Sequence, residues 1–181
     1  MKKYFAGAFL VFIFLLVPLH QLSNATDLTL NNTPTRVCFS PKAGCTETIV
    51  TEINGAKTEV LVQAYAFSSS PIVKALLGAF KRGIKVVVIL DKSQRSDKYT
   101  IATFLANSGI PTYIDDKHAI AHNKIMIIDQ ETVITGSFNF TKAAEERNAE
   151  NLLIIKNKDL AKEYLDSWYK HKEHSESYKR R

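Results

Sequence analysis

From residue 36 onward, apolar positions recur alternately with the spacing of strands and with that of helices. Arg36 to Phe39 predicts a short strand, and Thr46 to Asn54 a helix ended by Gly55. Val60 to Phe67 predicts a strand suited to a buried sheet. The next helix is clearly marked: Ser70 can cap it, Pro71 takes its first position, Ile72, Val73, Leu76, Leu77 and Phe80 share a face, and Gly83 ends it. Lys85 to Leu90 is a continuous apolar run, the pattern of a strand covered on both sides. A helix over Lys98 to Asn107, stopped by Gly109, and a strand over Pro111 to Ile114 follow.

Beyond His122 the alternation changes. Two strand-like runs, His122 to Ile128 and Thr132 to Gly136, are separated by almost no loop and predict a β-hairpin. Leu152 to Ile155 predicts a further strand. The last helix, Asp159 to about Lys172, presents Leu160, Tyr164 and Trp168 on one face, and the charged tail from His171 to Arg181 is expected to fray. No repeat or linker interrupts residues 36 to 170. The pattern predicts a single α/β layered domain.

The N-terminus follows other rules. Lys2 and Lys3 precede an apolar run from Phe5 to Val17, Pro18 breaks it, and Ser23-Asn24-Ala25 offers small residues for cleavage. Residues 1–25 read as an export signal, and residues 26–181 as the mature domain. The competing reading is an uncleaved anchor, although the run is shorter than the roughly 20 residues of a bilayer span. With 45% apolar and 23% charged residues, the chain does not have the composition of a disordered or collagen-like polypeptide. Its net charge is +6, and losing Lys2 and Lys3 leaves +4. That balance suits a polyanionic partner without demanding one. Export favours a disulfide between the only two cysteines, Cys38 and Cys45, over two free thiols, and points to a periplasmic or extracellular location.

Candidate chemistry gathers in His122-Asn123-Lys124, Asp129 and Gly136-Ser137-Phe138-Asn139. His122 and Lys124 are two apart and project from one face of their strand, while Ile125 and Ile127 project from the other. If the hairpin turns about Gln130-Glu131, Lys124 faces Ser137 and His122 faces Asn139. Such a face collects an imidazole, an ammonium, a hydroxyl and a carboxamide, without clustered carboxylates. It suits attack on a phosphodiester without a metal ion. Lys124, Asn139 and Ser137 can bind phosphate oxygens, and neutral His122 can attack phosphorus. Gly136 would let the chain pass close to the phosphate, and Asp129, at the hairpin's turn, reads as structural. Taken singly, each residue has an ordinary structural explanation; their joint registration is what points to chemistry.

These residues match the pattern H-x-K-x4-D-x6-G-S-x-N, and the chain resembles the phospholipase D superfamily, especially its small secreted bacterial endonucleases. The resemblance implies a mixed β-sheet between helices, a phosphohistidine on His122, phosphate binding by Lys124 and Asn139, and assistance from Ser137. It also implies that Glu150, in Asn148-Ala149-Glu150-Asn151, orients His122. Superfamily enzymes with two motifs bring two histidines together, whereas this chain carries one motif. His118 lacks a lysine two positions later, and His171 and His174 lie in the charged tail. The second histidine is therefore expected from a homodimer partner, and no metal or other cofactor is expected.

The leading expectation is a sequence-nonspecific nuclease acting on DNA, with RNA a further candidate substrate. The same chemistry on phospholipids is the principal alternative. A noncatalytic nucleic-acid-binding module and a metal nuclease of the His-Asn type are weaker ones.

Overall fold

The computed structural model describes residues 25–95 and 100–179. Eight strands among them form one sheet: β1 (Thr35–Ser40), β2 (Glu59–Ala64), β3 (Lys85–Asp91), β4 (Thr112–Asp115), β5 (Lys124–Ile128), β6 (Thr132–Gly136), β7 (Glu150–Lys156) and β8 (Glu176–Ser177). Their order is β1-β7-β6-β5-β2-β3-β4-β8. The β2-β3-β4 pairs are parallel and the others antiparallel, so the sheet is mixed. The helices are α1 (Cys45–Gly55), α2 (Ser70–Lys81), α3 (Ile101–Asn107), the short α4 (Lys142–Glu146) and α5 (Lys158–His174). The expected export signal lies outside the described residues, apart from Ala25.

The central strands explain their own composition. Every residue of β2 is buried, because helices cover both sheet faces. On one face Val60, Val62, Val88, Leu90, Met126, Ile134 and Ile154 pack with α1, α2 and α3. On the other, Leu61, Val87, Ile89, Ile125, Ile127 and Val133 meet Ala161 and Trp168 of α5. Leu160 and Tyr164 flank that contact, and Trp168 Nε1 donates to the Val62 carbonyl at 3.1 Å, which satisfies its one polar atom inside the core.

Several local expectations change. Ser69, not Ser70, is the N-cap position of α2, and Ser70 lies inside the helix. Within the described residues the third helix begins at Ile101, so Lys98 falls outside them. The tail is not frayed at His171: α5 continues to His174, and Glu176–Ser177 pair with β4. Tyr178 hydroxyl lies 2.8 Å from Thr103 Oγ1, a long-range contact that a local pattern does not reveal.

Cys38 and Cys45 form the expected disulfide, joining β1 to the start of α1. Gly44 caps α1 without a side chain. The Glu145 carboxylate of α4 supplies the missing acceptor, taking the N–H groups of Gly44 at 2.9 Å and Thr46 at 2.7 Å.

The β5-β6 register differs by one residue from the expected one. Met126 faces Ile134 and Ile128 faces Thr132, because Asp129 and Gln130 both adopt positive φ, at 54° and 56°, and the turn spans Asp129 to Glu131. Lys124 therefore extends toward Gly136, not Ser137. This register also keeps Met126 and Ile134 on the same buried face, whereas a one-residue slip would separate them.

Asp129 ties this hairpin to β2. Its carboxylate accepts N–H bonds from Lys57 at 2.9 Å, Thr58 at 2.8 Å and Glu59 at 3.1 Å, and the Thr58 hydroxyl at 2.9 Å. Burial pushes its pKa up, but the bonds from Thr58, Lys57 and Glu59 outweigh this and hold it below the usual value. A carboxyl depressed in the folded state contributes stability above its unfolded pKa, about 3.9, and loses it as the pH falls through the folded value. Asp129→Asn is therefore expected to cost about 1–3 kcal/mol near neutrality. In urea denaturation its deficit against the parent should shrink as the pH is lowered below about 4. A deficit independent of pH would assign the loss to amide geometry instead of charge.

Candidate active site

His122, Lys124, Ser137 and Glu150 gather about the start of β5, beside β2, β6 and β7, whereas Asp129 lies at the other end of the hairpin. His122 is exposed just before β5, and its ring lies 4.6 Å from that of Tyr65, which follows β2. Lys124 is 7% exposed, and its Nζ donates to the His122 carbonyl at 2.9 Å and lies 5.3 Å over the Tyr65 ring. One ammonium hydrogen is thus used internally, leaving two for ligand oxygens. Burial lowers the Lys124 pKa, with the nearby charge of Glu150 opposing the shift. A phosphate in this place would add to Glu150 as opposite charge for the buried ammonium.

Ser137 reaches the site by a turn and not by the ladder. Gly136, at φ 140°, closes β6, and the Asn151 carbonyl then accepts N–H bonds from both Ser137 at 3.1 Å and Phe138 at 3.2 Å. A Cβ on Gly136 would run into the Asn151 carbonyl, so the glycine is required by β7. This packing is a reason for the glycine separate from the expected passage of the chain close to phosphate.

Ser137 Oγ donates to Glu150 Oε2 at 2.6 Å and accepts the Asn151 N–H at 3.0 Å. Its proton is committed to Glu150, so the hydroxyl cannot also donate to phosphate without breaking that bond. The other Glu150 oxygen accepts Asn148 Nδ2 at 3.1 Å. Within one protomer Glu150 is thus held by Ser137 and Asn148, and the expected bond to His122 is not made. Asn139 lies between the buried Phe138 and Phe140, and its Oδ1 is buried without a hydrogen-bond partner. Such an orphaned carboxamide is unusual in a settled core and ordinary in a ligand site.

A cleft of about 400 Å³ opens beside these strands, lined by His122, Asn123 and Lys124, by Thr135 and Gly136, and by Glu163, Tyr164 and Ser167 of α5. Sequence reasoning missed Tyr65, Asn148 and the α5 wall, since only the sheet order brings β2, β7 and α5 to the motif. The one group of potential metal ligands among the described residues is elsewhere: Asp115, His118, His171 and His174. His118, His171 and His174, set aside in the sequence as candidates for a second motif, are brought together with Asp115 by the fold.

An accessible imidazole beside a buried ammonium is a pair suited to phosphoryl transfer. The chain belongs to the phospholipase D family and is a phosphodiester hydrolase: residues 49–171 match the family model described as cardiolipin synthase, PLD-like domain. It is 42% identical over 156 residues to a protein named phospholipase D from Rickettsia typhi, covering 86% of this chain and 76% of that one. Among solved structures it is similar to Nuc from Salmonella typhimurium, described as a phospholipase D family member, with 38% identity and a TM-score of 0.77 over 81% of this chain and 99% of that one. NucT from Helicobacter pylori shares the fold, with a TM-score of 0.74 at 22% identity over 81% of this chain and 99% of that one.

Proposed function

We propose that this protein is an exported, sequence-nonspecific endonuclease that hydrolyses DNA, with RNA as a second substrate, through a phosphohistidine and without a metal ion. The observation that carries the reading is the accessible His122 ring beside the buried Lys124 ammonium. The His122 lone pair attacks phosphorus as the bond to the leaving sugar oxygen breaks. That oxygen takes a proton from His122 of a second subunit. The second imidazole, now neutral, removes a proton from water, whose oxygen displaces His122 and completes hydrolysis. Lys124 and Asn139 bind the phosphate oxygens on which negative charge grows. The groups available to phosphate are an ammonium and a carboxamide, and the Glu150 oxygens are already engaged, which favours metal-free chemistry. The Cys38–Cys45 disulfide supports an oxidising compartment, the periplasm or the cell exterior.

The relatives named phospholipase D favour a second reading, in which the same steps cleave a lipid phosphodiester. The similarity to Nuc, matched over 99% of its length, supports the nuclease reading that we adopt. Plasmid DNA and phospholipid vesicles assayed side by side in EDTA are expected to give plasmid nicking and little headgroup release. Headgroup release without nicking would reverse the assignment, and activity restored only by added divalent metal would overturn the metal-free mechanism.

A further inference from the structure

At the far end of the molecule from the β1 edge, four residues from two separate stretches of the chain converge on one point. Asp115 ends β4 and is fully buried, His118 follows it by three positions, and His171 and His174 lie three apart on α5. Asp115 Oδ2 is 2.6 Å from His171 Nδ1, while Oδ1 is 3.2 Å from both His118 Nδ1 and His174 Nε2. The His118 ring centroid lies 4.9 Å from that of His171 and 5.3 Å from that of His174. Three imidazoles thus surround one carboxylate.

Hydrogen bonding alone serves this cluster poorly. Asp115 Oδ1 also accepts the Lys117 N–H, and His174 Nε2, though only 3.2 Å away, is buried without meeting the geometry of a hydrogen bond. A buried imidazole nitrogen therefore aims at the centre of the cluster with its pairing incomplete.

We propose that Asp115, His118, His171 and His174 together hold a single structural zinc ion. Each contributes one donor atom, and the four atoms lie within 4.8 Å of one another. A tetrahedral zinc ion with bonds near 2.0–2.1 Å separates its ligands by about 3.4 Å, so the set closes with small side-chain rotations. Three imidazoles and one carboxylate, without thiolate or carbonyl ligands, suit zinc better than calcium or magnesium. Four protein ligands close the coordination sphere, which assigns the ion to structure and not to hydrolysis.

The placement gives it a purpose. It fastens the last turn of α5 to the end of β4, adding to the β4-β8 pairing and to the Lys172 ammonium 4.6 Å over the Tyr113 ring. It also fixes His118, four residues before His122 in the segment that enters β5. Lys92 Nζ donates to the His118 carbonyl at 3.0 Å, and Asp91 accepts the Ala121 N–H at 2.7 Å, so that segment is already tethered at two other points. The cluster is three strands from β5 in the sheet, about 14 Å, and is separate from the phosphoryl site.

The test uses the untagged chain, stripped with chelator, dialysed and titrated with zinc chloride and, separately, cobalt chloride. One equivalent of zinc should bind, the cobalt form should show the intense visible bands of tetrahedral coordination, and the melting temperature should rise with zinc concentration. The double variant His171→Asn, His174→Asn should lose all three responses, while His122→Ala keeps them. His118→Asn, changed at a half-exposed side chain, should weaken binding if the double variant does not fold. Failure of the folded parent chain to bind stoichiometric zinc, or unchanged binding in the variants, would overturn the proposal. Hydrolysis rates measured with and without chelator below the metal-free melting temperature separate this outcome from that of the nuclease reading.

Discussion

His122→Ala is expected to lower phosphodiester hydrolysis on the order of 10⁴-fold or more while changing stability by no more than about 0.5 kcal/mol. The ring is exposed, and Tyr65 is its one ring neighbour among the described residues, so folding depends little on it. The informative experiment mixes parent and variant chains by joint refolding. If each site needs one imidazole to attack and another, from the second subunit, to protonate the leaving oxygen, only parent-parent dimers work. An equal mixture should then retain about a quarter of the parent rate per chain, whereas independent sites would retain about half. A parallel prediction concerns pH: one imidazole must be neutral and the other protonated, so the rate should be bell-shaped. A value near half, with an active monomer by light scattering, would remove the shared site.

The sequence exposed those parts of the fold that depend on local spacing. The Ser70–Phe80 helix face, the unbroken Val86–Leu90 run and the motif hairpin depend on neighbours within a few positions, and the structure contains all three. What it concealed depends on long-range partners. The hairpin register turned on two positive φ angles at Asp129 and Gln130, residues whose types do not demand them. Tyr65 reaches Lys124 only because β2 lies beside β5, with Ala64 opposite Lys124. In the sequence His118 is set aside for lacking a lysine two positions later, and His171 and His174 for lying in the charged tail, because nothing local says that α5 ends against β4.

The partners of Glu150 within one protomer are not legible in the motif. The acid lies at the phosphoryl site, where its charge acts on Lys124, but its oxygens hold Ser137 and Asn148. Its part in one protomer is to position Ser137 and balance the ammonium. Each of its oxygens accepts one bond from these two residues, so the carboxylate keeps the capacity to accept an imidazole N–H as well.

Gly136→Ala is expected to destabilise the protein by about 3 kcal/mol or more, one of the largest losses available from adding a single methyl group. Two costs combine. At φ 140° the residue occupies backbone space that side chains avoid, and the new Cβ meets the Asn151 carbonyl, part of the strand next door and not a movable side chain. That carbonyl also anchors the N–H groups of Ser137 and Phe138, so any shift that relieves the clash displaces Ser137 from Glu150. Urea midpoints and hydrolysis rates taken well below the melting temperature should therefore fall together. Loss of activity at unchanged stability would instead favour the reading in which Gly136 clears space for the substrate's phosphate. Activity and stability both intact would mean that β7 yields at Asn151, and the rigid seam between β6 and β7 on which the site's geometry rests would have to be abandoned.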